Sequence, residues 1–211
     1  MTFVTSLAAH NLRVTRGENM LFAQVSFALN AGEALLVRGA NGSGKTSLLR
    51  VLAGLLIADA GEISIDGVRA LPLDTRLRNA VLYAGHASGI KDDFNALENL
   101  REALLLEGQT ADVDTCMRAL AAVDLLDRRR VLAAKLSQGQ RRRIVLAQLH
   151  LTKKKCWLLD EPTNALDAAG VALFNTLIAD HLQRGGIAVL ATHLPIHLPN
   201  VREIEMTAVA A

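Results

Sequence analysis

Short apolar runs and helical periodicities alternate along most of the chain. Val25-Ser-Phe-Ala-Leu29 alternates apolar and polar positions, the period of a half-buried strand. Ala34-Leu-Leu-Val37 is a continuous apolar run closed by Arg38 and Gly39, and it predicts a buried strand. Leu48, Leu49, Leu52 and Leu55 follow at three- and four-residue spacings, which predicts a helix. Gly61–Gly67 reads as a strand bounded by turn residues, and Val81–Ala84 as another. From about Asn95 to Leu151 the period is helical. Asn95 with Glu98 fits a capping box, Val113, Met117 and Leu120 form an apolar stripe, and Ser137 with Gln140 makes a second capping box ahead of Ile144, Ala147 and Leu151. Cys156–Leu159 and Ile187–Ala191 predict two more buried strands, separated by a helix carrying Leu173, Leu177 and Ile178. Val201–Met206 predicts an edge strand. No repeat or linker interrupts this order, which argues for an α/β core with a helical insert.

Composition narrows the picture. The 211 residues are 51% apolar and 21% charged, which excludes a disordered chain, and with 3% aromatics the core must be aliphatic. A net charge of +2 is too close to neutral for a dedicated nucleic-acid binder. The basic runs Arg128–Arg130, Arg141–Arg143 and Lys153–Lys155 are each short and read as solvated surface. Cys116 and Cys156 lack C-x-x-C spacing, so neither a redox pair nor a disulfide scaffold is expected. No run approaches the roughly 18 apolar residues of a membrane span, and the first residues carry neither the basic nor the apolar region of a signal peptide. The expectation is a cytoplasmic protein that meets a membrane only through partners.

The chemistry concentrates in three motifs. Gly39-Ala-Asn-Gly-Ser-Gly-Lys-Thr46 matches G-x-x-x-x-G-K-[ST] between a predicted strand and a predicted helix. Its glycines let backbone N–H groups form an anion-binding nest, the helix adds its positive end, Lys45 adds a cation for β- and γ-phosphates, and Thr46 adds a hydroxyl for Mg²⁺. In Trp157-Leu-Leu-Asp-Glu-Pro162 a buried strand ends in two carboxylates. Asp160 is placed to hold Mg²⁺ through water, and Glu161 to orient or deprotonate an attacking water. Leu136-Ser-Gln-Gly-Gln140 repeats the logic of a glycine turn and a helix N-terminus aimed at phosphate.

The last motif closely resembles the signature of ATP-binding-cassette (ABC) ATPases. Asn164-Ala-Leu-Asp167 resembles that family's D-loop, and Thr192-His193 ends an apolar strand where the family carries a switch histidine. The resemblance extends over nearly the whole chain. It implies a P-loop NTPase ABC-type nucleotide-binding domain: one domain over residues 1–211, with a parallel-stranded core, an antiparallel β subdomain and a helical subdomain at about 87–150. It implies contact with ATP for Gly39, Ala40, Asn41, Gly42, Ser43, Gly44, Lys45, Thr46, His86, Ser137, Gly139 and Gln140. Glu161 and His193 become catalytic, and Thr46 and Asp160 Mg²⁺ ligands. It implies an ATP-dependent dimer in which the signature of one protomer covers ATP held by the other, and membrane subunits on separate chains.

Two departures refine the resemblance. The family stacks adenine on an aromatic side chain, and the matching place, Thr15-Arg16-Gly17, has none, although Arg16 offers a planar guanidinium. A glutamine is expected where His86 stands. Gly85-His86 followed by Gly89-Ile-Lys91 is similar to the ATP-binding subunits of cytochrome c maturation complexes. That similarity implies a peripheral ATPase at the cytoplasmic face of a bacterial inner membrane, whose hydrolysis powers haem export or the release of haem from a periplasmic carrier. No C-x-x-C-H motif is present, and no direct haem binding is expected. An ABC exporter ATPase for another small molecule or lipid, and a soluble ABC ATPase outside transport, remain open at this point.

Overall fold

Strands that are apolar on both faces belong inside a parallel sheet covered on both sides. Three segments of this chain meet that condition. The computed structural model describes residues 4–17, 19–85, 89–193 and 201–207. In chain order its elements are β1 (Ser6–Arg16), β2 (Asn19–Asn30), β3 (Ala34–Arg38), α1 (Lys45–Leu52), β4 (Ala60–Ile65), β5 (Val68–Ala70), α2 (Thr75–Ala80), β6 (Val81–Ala84), α3 (Ala96–Leu106), α4 (Val113–Ala122), α5 (Gln138–Leu151), β7 (Cys156–Asp160), α6 (Ala168–Gln183), β8 (Ile187–Ala191) and β9 (Val201–Glu205). The chain divides into two compact units.

The first unit holds the described residues within Met1–Gly85, Lys154–Pro162 and Ile178–Ala211. Its parallel sheet has the order β6-β7-β8-β3-β9. β7 and β8 are buried at every position, as is β3 up to Arg38, so the continuous apolar runs are central strands. β9 lies at the edge, with Arg202, Glu203 and Glu205 exposed. A second, antiparallel sheet has the order β2-β1-β4-β5. One apolar cluster joins the two sheets: Leu7, Leu12, Phe22 and Leu29 from the antiparallel sheet share it with Leu35, Val37, Leu158 and Val189, and with Leu48 and Leu52 of α1. The α1 helix stops at Leu52, and Leu55, expected on its apolar face, lies beyond it and is exposed.

The second unit holds the described residues within His86–Lys153 and Thr163–Leu177. Here α3, α4 and α5 pack on one another. Both capping boxes are present: the Asn95 side chain accepts from the Glu98 amide, and Ser137 Oγ from the Gln140 amide, each reciprocated. Buried Asn99 donates from Nδ2 to the carbonyls of Lys91, Phe94 and Asn95 and accepts from the Lys91 amide, stitching the approach loop to α3. The buried stripe of α4 is Cys116, Ala119 and Leu120, whereas Val113 faces solvent. Among the described residues no helix is long and apolar enough to cross a membrane. Burial pushes the Cys116 thiol up, and the Cys156 thiol up to about 12.

One packing contact in the first unit carries a pH dependence. His181 stacks on Trp157 with ring centroids 3.7 Å apart, and its Nε2 lies 3.2 Å from the Ile187 carbonyl. Burial pushes the imidazole down to about 4 from its ordinary 6.5. The unfolded chain therefore binds a proton that the folded chain refuses between those values. The associated stability is intact above pH 6.5 and falls as pH drops toward 4, by about 2 kcal/mol at pH 5. His181→Phe keeps a stacked ring and removes the titration. Its urea midpoint is expected to fall less than that of the parent between pH 7 and pH 5, and equal falls would show that His181 is not the group responsible.

Candidate functional site

In an open parallel sheet, ligands sit outside the carboxyl ends of the strands. Strand register brings three loops together there. Val37 pairs with Ala191, and Ala191 with Asp160, so β3, β8 and β7 end in one row. β3 leads into the glycine loop, β7 into Glu161, and β8 into Thr192-His193. Two contacts fix the row: the Glu161 amide donates to the Ala191 carbonyl at 2.7 Å, and Arg38 Nη1 donates to the Thr192 carbonyl at 2.9 Å.

The glycine loop runs from Gly39 to Gly44 and opens α1. Gly39 has φ 135, and a Cβ there would stand 2.3 Å from the Met206 carbonyl oxygen and 2.7 Å from Ser43 Oγ. No other residue type fits. Lys45 is 7% exposed, and its ammonium donates to the carbonyls of Gly39 at 2.7 Å and Ala40 at 2.9 Å. The Ser43 hydroxyl is buried without a partner. α1 has no side-chain cap, so its first N–H groups remain for an anion. Thr46 Oγ1 donates to Asp160 Oδ2 at 2.7 Å, and Asp160 is 2% exposed. His193 Nε2 lies 3.0 Å from Asn41 Oδ1 and 3.3 Å from Glu161 Oε1. A cleft of about 510 Å³, lined by Arg38, Gly39, Ala40, His193 and Glu205, adjoins these groups. Among the described residues, no three His, Cys, Asp or Glu side chains cluster as a metal cage.

In the second unit, Ser137, Gly139 and Gln140 form the first turn of α5 and its cap. A Cβ on Gly139 would stand 2.7 Å from the Ala165 carbonyl oxygen, so only glycine allows that approach. Four residues on, Arg143 donates from Nη2 to both carboxylate oxygens of Asp167, at 3.0 Å each, and from Nη1 to the Val123 carbonyl at 2.8 Å. The Gly170 amide, with the Arg143 guanidinium, holds the Asp167 carboxyl below the usual carboxylate range. The Asn164–Asp167 segment is thus tied to the helix that begins at the signature.

Residues 22–164 match the family model described as ABC transporter. The chain belongs to the ABC transporter family. As an ABC ATPase it binds and hydrolyses ATP. A cytochrome c biogenesis ATP-binding export protein from Nitrosomonas europaea is 44% identical to it over 198 residues, which cover 94% of this chain and 93% of that protein. A solved ABC transporter ATP-binding protein from Pyrococcus furiosus superposes with a TM-score of 0.81 at 23% identity, over 96% of this chain and 98% of its own. An ATP-binding cassette solved as a dimer in a post-hydrolysis state with ADP and phosphate gives 0.79 at 23% identity, over 89% and 88%. The two structural likenesses establish the fold.

Against the sequence expectations, this ABC ATPase brings Gly39–Thr46, Asp160, Glu161 and His193 together in the first unit, and Ser137, Gly139 and Gln140 together in the second. His86 lies outside the described residues. The reading of all three basic runs as solvated surface needs correction at the middle one. Arg142 is buried, Arg143 is held as above, and Arg141 donates to the Ala133 carbonyl and pairs with Asp92 at 2.7 Å. Sequence reasoning also missed Arg38, which anchors Thr192, and Phe22 of β2, whose ring abuts Gly44. Neither stands in a motif, and no local periodicity marks them.

Proposed function

We propose that this chain is the ATP-hydrolysing subunit of an ABC complex that powers haem export or haem release for cytochrome c biogenesis at the bacterial inner membrane. The observation that carries this reading is the near full-length 44% identity to a cytochrome c biogenesis ATP-binding export protein. It is supported by a site whose parts suit ATP hydrolysis.

In this reading the loop amides of Gly39–Thr46 and the start of α1 bind the ATP phosphates, and Lys45 leaves its carbonyl partners for the β- and γ-phosphates. Thr46 and Asp160 hold Mg²⁺, which takes oxygen ligands and keeps several waters. Their 2.7 Å contact places two hard oxygens side by side, which fits that ion. When bound, Mg²⁺ neutralises charge on the phosphates. The Glu161 carboxylate takes a proton from the attacking water, and the neutral His193 imidazole steadies the water or the γ-phosphate.

Ser137, Gly139 and Gln140 of one protomer cover ATP held by a second copy. The helical subdomain at about 87–150 carries the face that meets integral membrane subunits, and His86 reports the γ-phosphate to it. The protein then lies at the cytoplasmic face of the membrane as a peripheral subunit. The test is complementation. Expressed in a bacterium that lacks its own ATP-binding subunit for cytochrome c maturation, this chain is expected to restore haem-stained cytochromes c, and its Lys45→Ala variant is not. Normal maturation by Lys45→Ala, or none with the parent chain stably expressed, would overturn the reading.

A further inference from the structure

Asn41 and His193 are 152 residues apart, yet their side chains meet. His193 Nε2 lies 3.0 Å from Asn41 Oδ1 and 3.3 Å from Glu161 Oε1. An amide oxygen only accepts hydrogen bonds, so in the contact with Asn41 Oδ1 the Nε2 atom carries the proton. Glu161 lies beside the same nitrogen, and the hydrogen bond itself runs to Asn41. Glu161 is held by its backbone: its φ is 48, and its amide is anchored on Ala191. The backbone before His193 is held through the Thr192 carbonyl. The imidazole itself is half exposed, so its χ angles depend on the Asn41 hydrogen bond and the neighbouring carboxylate.

We propose that Asn41 is a positioning residue for hydrolysis, whose amide oxygen holds the Nε2–H of His193 and keeps the ring beside Glu161 at the mouth of the phosphate loop. This rests on the reading of Glu161 and His193 as the groups that act on the lytic water. A neutral amide suits the place, because it orients the ring without setting a second negative charge beside the phosphates. The loop binds phosphate through backbone N–H groups, so the Asn41 side chain contributes to rate and not to affinity. Removing it takes away the hydrogen bond recorded for the ring, and a loosened catalytic group loses rate.

The experiment is a double-mutant cycle in the full chain, purified with its membrane subunits, reading steady-state and single-turnover ATP hydrolysis. Asn41→Ala is expected to lower kcat about three- to tenfold, the range of one neutral hydrogen bond, with KM for ATP unchanged. In a His193→Ala background the same change is expected to have no further effect. An equal effect in both backgrounds, or a raised KM with unchanged kcat, would overturn the proposal, because Asn41 would then act on the nucleotide directly. Nitrogen-15 NMR of His193 gives a readout independent of turnover: a single Nε2–H tautomer in the parent, and a mixed population in Asn41→Ala. An unchanged spectrum would also overturn it. Absence of hydrolysis by the parent complex would instead remove the functional reading on which the proposal rests.

Discussion

Glu161→Gln is expected to keep ATP binding while turnover falls about a hundred- to ten-thousandfold, the span of a general-base contribution. The substitution is close to isosteric. The backbone at φ 48 and its 2.7 Å bond to Ala191 have no need of the carboxylate, so the loop geometry persists. The phosphate loop and the Thr46–Asp160 contact lie on neighbouring residues and are untouched. What disappears is the acceptor for the proton of the attacking water, since an amide oxygen is a far weaker base. Binding is read by titration with a fluorescent ATP analogue, and turnover by phosphate release. With hydrolysis blocked, ATP should also accumulate a dimer of the chain, measurable by light scattering in the presence of the membrane subunits. Turnover within tenfold of the parent would remove Glu161 as the base. A variant that stays monomeric at saturating ATP would count against nucleotide shared between protomers.

The parts of the fold legible in the sequence are those governed by local rules. β3, β7 and β8 stood out because a strand covered on both faces must be apolar throughout. Both capping boxes stood out because their partners lie three residues apart. β1 was missed for a physical reason. Its buried residues are Leu7 and Ala9, then Leu12 and Val14, and register shifts in its pairing between Ala9 and Leu12 break the period of two. β5 and α2, at 3 and 6 residues, are too short to show any period. In α4 the small buried residues Cys116 and Ala119 carry less hydrophobic signal than exposed Val113, so the expected stripe is right at Leu120 and wrong at Val113. The motif residues of the site were legible because phosphate chemistry fixes their spacing. Their supports were not: Arg143 with Asp167, Arg38 with Thr192, and Asn41 with His193 are 24, 154 and 152 residues apart. A run of three arginines looks the same in sequence whether it meets water or carboxylates.

Lys45→Ala is expected to weaken ATP binding about ten- to a hundredfold, from the loss of a charge-assisted contact worth roughly 1.5–3 kcal/mol. The size of the effect follows from where the ammonium sits. It is nearly buried, and two carbonyls of the loop it serves hold it at 2.7 and 2.9 Å, so its charge is placed before the nucleotide arrives. Little side-chain entropy remains to be lost on binding, and low exposure limits screening by salt. Alanine removes the cation and leaves the Gly39 and Ala40 carbonyls without their donor, so part of the cost falls on the loop itself. Lys45→Met separates the two effects. It keeps the apolar length of the chain without the charge, and it should bind as weakly as the alanine variant if the charge is what matters. Isothermal titration with ATP and with AMP discriminates further. AMP lacks the phosphates that Lys45 is proposed to meet, so its weak binding should be the same in all three proteins. An undiminished ATP affinity in Lys45→Met would show that the loop amides alone bind the phosphates and that the lysine serves only to hold the loop closed.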